Sequence, residues 1–350
     1  MDKIDLNNFN IRTDLALEAI DLYNYKDSND IKEEKYTKGK VTVTKITVEK
    51  GAEEHIHKKA GIYYTLDTFA ILTHDHDDLL ETENVLTDVL REILEHEQIK
   101  PESTGLIVGL GNYNVTPDSL GPVVVDNVMV TRHMFLLQPE SISEGVRNVS
   151  ALAPGVMGTT GIETSDIIQS VIDKIKVDYV IAIDALASRS IHRVNKTIQI
   201  TNTGISPGSG VGNKRKELSK DTLGIPVIAI GIPTVVDIAT ITYDVIDFVL
   251  RYLNYKIKND AKPSNSLLTS GERVALEEID LPTQEQAKVL LGTFGSLSEQ
   301  EKRSLLAEIL TPNGYNMMVT PKEIDIDIDD LSKVISRAID RAIHPIVNDA

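Results

Sequence analysis

The chain has 350 residues, a formal net charge of −17 and no cysteine. Its 41% hydrophobic content is enough for a buried core, and the lack of cysteine excludes disulfides, thiolate metal sites and a cysteine nucleophile. The charge argues against general nucleic acid binding, and it fits basic partners or simple solubility equally well. No apolar run approaches the roughly 20 residues of a membrane helix, and the polar start is unlike a secretory signal. We therefore expect a soluble cytoplasmic protein.

The first hundred residues are predicted to be β-rich, with one long helix. Tyr23 to Gly39 is dense in charge and is typical of a flexible or exposed segment. Lys40 to Glu49 alternates apolar and polar residues as a strand does, and Tyr63 to Leu72 is predicted as another strand. From Asp77 to His96 the apolar residues recur at helical spacing.

Beyond residue 100, short apolar runs alternate with longer helical patterns. The predicted strands are Leu106–Leu110, Val149–Leu152, Tyr179–Ile183, Val194–Ile200 and Pro226–Ile230, and the predicted helices are Pro117–Phe135, Ile162–Ile175 and Pro233–Leu253. Continuous apolar strands separated by helices indicate an α/β fold with a mainly parallel sheet covered on both faces. The early strands are N-terminal additions to it.

The C-terminal hundred residues are predicted to be helical after a polar interruption. Residues 256–283 are rich in Lys, Ser, Asn, Pro and Glu and are predicted as a surface excursion. Helices are predicted at Gln284–Leu291, Ser298–Leu310 and Leu331–Ile343. Glu323 to Asp330 alternates acids with isoleucine; its spacing does not match a calcium loop and favours a solvated strand or a helix start.

The best-marked candidate site is the stretch LIVGLGNYNVTPD, from Leu106 to Asp118. Its glycines allow the chain to turn sharply off the sheet, and Thr116-Pro117-Asp118 resembles a helix start with Thr as the N-cap. Sites in open parallel sheets form beyond the carboxyl ends of strands, where Asp118 is expected to lie. An Asp in a first helical turn can also serve only to complement the helix dipole, and the segment alone slightly favours that role.

A second acid is predicted at the same edge of the sheet. Asp184 ends the apolar run of DYVIAID and should project beside Asp118. One such Asp can simply cap a turn, but two from neighbouring strands suit water activation. Two like charges in a low-dielectric site do not both ionise easily, so one keeps a proton and acts as acid while the other acts as base.

Basic residues follow these acids along the chain. Pro207 to Lys216 reads PGSGVGNKRK, which lacks the Gly and the Ser or Thr that a Walker A loop requires, so ATP binding is not predicted. The notable cations could hold an acidic substrate side chain, or could each be ordinary surface residues: Arg189, Arg193, Lys214, Arg215 and Lys216.

Two histidine runs have the residue types of metal sites. His55-Ile56-His57 and His74 to Asp78 are such runs, but no further ligand is identifiable for either, and a solvated turn is the preferred interpretation. We predict neither a metal nor a cofactor. No serine nucleophile elbow is present.

These segments together closely resemble the germination proteases of spore-forming bacteria. The matching motifs are IRTDLALEA, VGLGN, VTPDSLGP, VTRHMFLLQPES, APGVMGTTGIETSDII, VIAIDALASRS, SPGSGVGNKRKE, GIPVIAIGIPTVVD and NMMVTPKEID. The strong part spans about residues 104–250, while residues 20–100 and 255–300 match only loosely.

The resemblance implies an endopeptidase that starts the degradation of small acid-soluble spore proteins during germination in the spore core. It implies a fold like that of the hydrogenase maturation proteases, a homotetramer, and synthesis as an inactive zymogen. The proposed catalytic aspartates of the family fall on Asp118 and Asp184, and its self-cleavage site falls between Asp14 and Leu15. Residues 1–14 would then be a propeptide and residues 15–350 a single α/β peptidase domain.

Two other hypotheses remain open at this point. One is a metal-dependent peptidase in which the same aspartates are ligands. The other is a non-catalytic protein that binds spore proteins without cutting them. Under every hypothesis the partners are proteins, with no direct binding of nucleic acid and no membrane.

Overall fold

The computed structural model describes residues 30–53, 58–208, 215–260, 279–310 and 317–348. In these ranges the chain forms nine strands, namely β1 (Ile31–Lys38), β2 (Val41–Val48), β3 (Gly61–Asp67), β4 (Gly105–Gly109), β5 (Val149–Leu152), β6 (Tyr179–Ser188), β7 (Thr197–Thr201), β8 (Val227–Asp237) and β9 (Met318–Val319). The helices of the same ranges are α1 (Ala70–Thr73), α2 (His76–His96), α3 (Leu120–Asn127), α4 (Arg132–Leu137), α5 (Met157–Thr160), α6 (Thr164–Ile175), α7 (Lys220–Leu223), α8 (Ile238–Asp260), α9 (Gln284–Leu291), α10 (Thr293–Ser296), α11 (Glu299–Leu310) and α12 (Ile324–Ile343).

The strands form one large sheet in the order β1-β2-β3-β7-β8-β6-β4-β5, and β9 pairs with the end of β8. β4 pairs in parallel with both β5 and β6. The pairs β1–β2, β2–β3, β3–β7, β7–β8 and β8–β9 are antiparallel. The predicted α/β class is confirmed, but the sheet is mixed rather than mainly parallel because the β-rich additions extend the same sheet.

The parallel strands are buried on both faces, as their continuous apolar runs predict. On one face, Ile107, Ile181 and Ile183 belong to a core cluster with residues of α2, α3 and α12. On the other face, Leu106, Val108 and Val180 pack with Ile168 of α6 and with Leu223 of α7. Helices therefore cover both faces of this part of the sheet, as predicted.

Contacts divide the chain into two compact units. One contains the described residues of Val236–Val319, where Ala239, Leu306 and Ala307 form a small core. The other contains the described residues of Arg12–Val235 and Thr320–Ala350, which include every strand from β1 to β7. The candidate site lies wholly within this second unit.

Several predicted boundaries were wrong, and each error has a physical cause. The predicted helix Pro117–Phe135 is a 3₁₀ turn followed by α3 and α4, because the chain extends at Val128 and then hydrogen-bonds to β5 through Thr131. The charged segment before Gly39 contains β1, an edge strand whose mostly exposed side chains hide the alternation.

Other elements begin or end away from their predicted limits. β3 ends at Asp67 and is followed by α1, so Tyr63–Leu72 is only partly strand. β8 continues through Pro233 to Asp237, and the helix predicted from Pro233 begins at Ile238. α12 begins at Ile324 instead of Leu331 because Ile324 and Ile328 are buried at helical spacing. The predicted excursion at 256–283 begins inside α8, and residues 261–278 lie outside the described ranges.

Within the described parts of the chain, every helix is too short or too polar to span a lipid bilayer.

Candidate active site

A tight glycine turn after β4 positions Asp118. Gly111 has a φ of +117°, and a Cβ atom there would lie only 2.0 Å from the main-chain oxygen of Asp118. The next N–H, of Asn112, donates to that oxygen at 3.0 Å and to Oδ2 of Asp118 at 2.8 Å. Only glycine fits this conformation and this closeness, so the turn and the acid form one unit.

The predicted capping role of Thr116 is wrong. Thr116 to Asp118 form a 3₁₀ turn, and α3 begins two residues after Asp118, at Leu120. The Asp118 carboxylate accepts the Asn112 N–H, which precedes the helix, while the carbonyl of Pro117 accepts a hydrogen bond from Thr234 Oγ1 at 2.7 Å. Asp118 therefore lies before the first turn of α3, and not within it as the alternative role of complementing the helix dipole assumed.

Asp184 reaches the same place from the neighbouring strand. Gly109, the last residue of β4, is aligned with Ile183 of β6, and the N–H of Leu110 donates to the Ile183 carbonyl at 2.8 Å. The sequence predicted that Asp184 ends its strand, but β6 continues to Ser188. Asp184 lies instead beside the point at which β4 stops, is 4% exposed, and accepts the N–H of Ala185 at 3.0 Å.

The two acids line one cavity of about 90 Å³. The structure thus brings together Asp118 and Asp184, and it adds one of the predicted basic residues, Arg215. The other lining residues are Leu110, Gly111, Gly155, Val156, Thr164, Pro207 and Gly208. Sequence reasoning did not select Gly155, Val156 and Thr164, although they follow β5, whose carboxyl end meets the same edge as that of β4.

Burial sets the electrostatics of Asp118. Loss of hydration raises the pKa of its carboxyl group above the ordinary value, while the Asn112 N–H and the Arg215 guanidinium act in the opposite direction. The net effect is a raised pKa, so Asp118 keeps its proton to higher pH than an exposed aspartate. Such a group can act as a general acid.

The remaining predicted cations lie in different surroundings. Lys216 Nζ binds Asp166 of α6 at 2.9 Å, and Arg193 Nη1 lies 3.8 Å from Asp67. Arg215 is the only basic residue among the described residues that line the cavity, and Arg189 is not among them. Lys214, Asp14 and Leu15 lie outside the described ranges.

The histidine runs do not form a metal centre in the described structure. His74 Nδ1 lies 2.7 Å from Asp330 of α12, and Asp75 caps α2 by accepting the N–H groups of Asp77 and Asp78. No group of three or more His, Asp or Glu side chains suited to a metal occurs among the residues that the structure describes. His55 to His57 lie outside those residues.

Comparisons with known proteins identify the family. The family model described as Germination protease (Peptidase_A25) matches residues 13–350. The chain belongs to the germination protease family. It is 52% identical to the germination protease of Bacillus mycoides (strain KBAB4) and 51% identical to that of Bacillus cereus (strain ATCC 10987 / NRS 248). Each alignment covers 97% of this chain and 95% of the relative. The protein is thus a protease, as its sequence motifs predict.

Among solved structures, the chain matches a [NiFe] hydrogenase maturation protease, HycI, from Thermococcus kodakarensis KOD1. The match has a TM-score of 0.28 and 19% identity, and it covers 41% of this chain and 80% of the other.

Proposed function

We propose that this protein is an endopeptidase that starts the degradation of small acid-soluble spore proteins during germination. Membership of the germination protease family supports the activity and its setting. The observation that supports the mechanism is the shared cavity of Asp118 and Asp184, beside the carboxyl end of β4 and the adjoining part of β6. The substrate class comes from the resemblance of the motifs.

In the proposed reaction, water is the nucleophile and the two carboxyl groups divide the proton transfers. Asp184 takes a proton from water as the water oxygen bonds to the carbon of the scissile peptide. Asp118 gives its proton to the carbonyl oxygen. When the carbon–nitrogen bond breaks, Asp184 gives the proton that it took from water to the departing nitrogen. The carbonyl reforms as one hydroxyl group returns its proton to Asp118, which leaves one new carboxyl group and one new amine and restores both acids. General acid–base catalysis of this kind contributes roughly 10²- to 10⁴-fold to a rate.

The raised pKa of Asp118 supports the role of acid for this residue in the proposed scheme. Its protonated form persists to higher pH than that of an exposed aspartate, and it is lost as the pH rises through the raised pKa. Activity should therefore fall with rising pH on the alkaline side of the profile. A rate that does not change between mildly acidic and neutral pH would contradict this role.

The same site would carry out self-processing. We propose that the chain is made as a zymogen and is cut between Asp14 and Leu15, in the sequence Arg12-Thr13-Asp14-Leu15-Ala16. Each acid can be tested by replacing it with asparagine, Asp118→Asn and Asp184→Asn, and measuring both this cut and cleavage of a spore protein. Either variant should lose about a thousandfold in rate. The exposed Asp126 on α3 provides a matched control, Asp126→Asn, which should leave both rates unchanged.

Full activity in Asp118→Asn or Asp184→Asn would refute the role of that residue. Activity that is abolished by exhaustive chelation would instead favour the metal-dependent hypothesis. The described donor set does not fit that hypothesis, since no third acidic or histidine ligand accompanies the two aspartates within the described residues. We also propose that the protein is a homotetramer, which light scattering of the purified chain would test.

Cleavage after an acidic residue requires a cation near the cut. Of the candidates named from the sequence, Arg215 is the one for which the geometry offers support, since it lines the cavity together with both aspartates. Its guanidinium group can bind a carboxylate through two parallel hydrogen bonds. We propose that Arg215 recognises the acidic side chain that precedes the cut.

A further inference from the structure

The strand β5 forms one edge of the sheet and has β4 as its neighbour. The N–H of Gly105 donates to the carbonyl of Asn148 at 2.9 Å, and Gly105 is aligned with Val149. In a parallel pair with this register, the main-chain groups of Ser150 and Leu152 face β4. Those of Val149 and Ala151 therefore point away from the sheet.

The outward main-chain groups of Val149 and Ala151 differ in their hydrogen bonding within the described ranges. Val149 accepts the N–H of Thr131 at 3.0 Å and donates its own N–H to Thr131 Oγ1 at 2.9 Å. Two residues further along, the outward N–H and C=O of Ala151 have no hydrogen-bond partner among the described residues. An extended peptide could bind this pair of groups as an added strand.

The open position leads directly to the candidate active site. β5 ends at Leu152, Ala153 is exposed, and Gly155 and Val156 line the cavity that contains Asp118 and Asp184. A peptide that pairs with Ala151 is thus only a few residues from the two acids, since an extended chain advances about 3.3 Å per residue. Large apolar side chains are exposed nearby in the sequence, with Leu137 at the end of α4 77% exposed and Met157 in α5 48% exposed.

The opposite edge of the sheet provides a contrast. β1 has the sequence IKEEKYTK and exposes five charged side chains, an arrangement that protects an edge strand from pairing with other chains. β5 has the sequence VSAL and carries no charge. In the described sheet, charged side chains therefore protect the β1 edge, whereas β5, the edge next to the cavity, lacks them.

We infer that the β5 edge binds the main chain of the polypeptide substrate through Ala151 and directs it into the cavity. This inference rests on the proposed function, because it concerns the substrate of the same site. It adds that recognition depends on an extended backbone as well as on side chains near the cut.

A series of N-methylated peptides tests the inference without altering the protein. The parent peptide has the sequence of residues 8–21 of this chain, NFNIRTDLALEAID. Each member of the series carries one N-methyl group, placed outside the two residues that flank the cut. Binding of each peptide to the protein is measured by fluorescence anisotropy. The kinetics of peptide cleavage are measured with the self-processed full chain as the enzyme. We expect one peptide position at which N-methylation raises KM about fivefold, the effect of one lost hydrogen bond. N-methylation of the residue before or after that position should leave KM unchanged.

Equal cleavage of every peptide, or sensitivity without this alternation, would overturn the inference and leave the proposed protease intact. A chain that neither binds nor cleaves any peptide would overturn it as well. The test of Asp118→Asn and Asp184→Asn is independent of this one, since it measures self-processing and the cleavage of a spore protein.

A matched pair of variants provides a second test. Ala151→Pro removes the outward N–H and should raise KM about fivefold with little change in kcat, whereas Ala151→Ser retains the N–H and should resemble the parent. Thermal unfolding of both variants controls for folding. If Ala151→Pro changes the oligomeric state and not KM, the edge joins copies of this chain and the inference is wrong.

Discussion

The candidate active site and the region near the end of α12 both bury titratable groups, and they differ in what those groups face. Beside the carboxyl end of β4 and the adjoining part of β6, Asp118 and Asp184 line a cavity together with Arg215. Near the end of α12, Asp340 accepts the N–H of Met129 at 2.9 Å, and the buried His344 accepts the N–H of Arg147 at 3.0 Å. The second pair connects α12 to the main chain of other segments.

Burial changes the pKa values in both regions. It raises the pKa of Asp118, raises that of Asp340 to about 6, and lowers that of His344 to about 4. A perturbed pKa therefore does not by itself distinguish an active site from a structural contact. What distinguishes the first region is that its acids share a cavity and arrive from neighbouring parallel strands.

The largest predicted effect tests this distinction directly. Asp118→Asn should lower the rate of peptide cleavage about a thousandfold, whereas Asp340→Asn should change it less than about twofold, because only Asp118 faces the cavity. The measurement is kcat/KM on one substrate for both variants. A large loss of activity in a folded Asp340→Asn variant would show that the second region takes part in catalysis.

The glycine turn should be almost as sensitive as the acid that it positions. In Gly111→Ala, the new Cβ would overlap the main-chain oxygen of Asp118. The resulting displacement of Asp118 should lower kcat about a hundredfold. Gly158→Ala is the matched control, since a Cβ there has no neighbour within 4 Å. Equal activities of the two variants would show that the turn does not fix the position of Asp118.

The second region should control stability. Asp340 has a raised pKa in the folded state, so the stability that it contributes is fully present below its unfolded pKa and is lost as the pH rises through about 6. Asparagine does not ionise, so Asp340→Asn should gain stability relative to the parent by about 2 kcal/mol between pH 4 and pH 8. Urea unfolding of both proteins at the two pH values measures this gain, and His344 is common to both. A difference that does not vary with pH would contradict the assignment.

The smallest predicted effect compares Arg215, which lines the cavity, with Lys216, which lies outside it. Arg215→Glu should reduce the preference for an acidic residue before the cut by about tenfold, the effect of losing one charged hydrogen bond. Lys216→Glu should leave the preference unchanged, since its ammonium group binds Asp166 outside the cavity. The ratio of kcat/KM for matched acidic and amide peptides measures the preference. If only Lys216→Glu relaxes it, the recognition site lies on the outer part of the loop.

Long apolar patterns predicted the elements around the site well, and neighbouring contacts explain where they did not. The strand of Leu106 to Leu110 and the helix of Asp77 to His96 were predicted to within two residues, because their periods are set by burial on one or both faces. β1 was missed because an edge strand in solvent has no apolar face. The predicted helix Pro117–Phe135 is interrupted because its middle pairs with β5, a contact invisible in the local sequence.

The sequence by itself determined the family and the aliphatic α/β core, and it predicted the two acids as a candidate pair, since these depend on local residue types and on long shared motifs. Only the tertiary structure decided that Asp118 lies in a turn before its helix and that Asp184 lies inside a strand that continues past it. It also decided that Arg215, among five candidate cations, lines the cavity with both acids. These facts depend on which chain segments meet at one edge of the sheet, and residues far apart in sequence carry no local signal of that meeting.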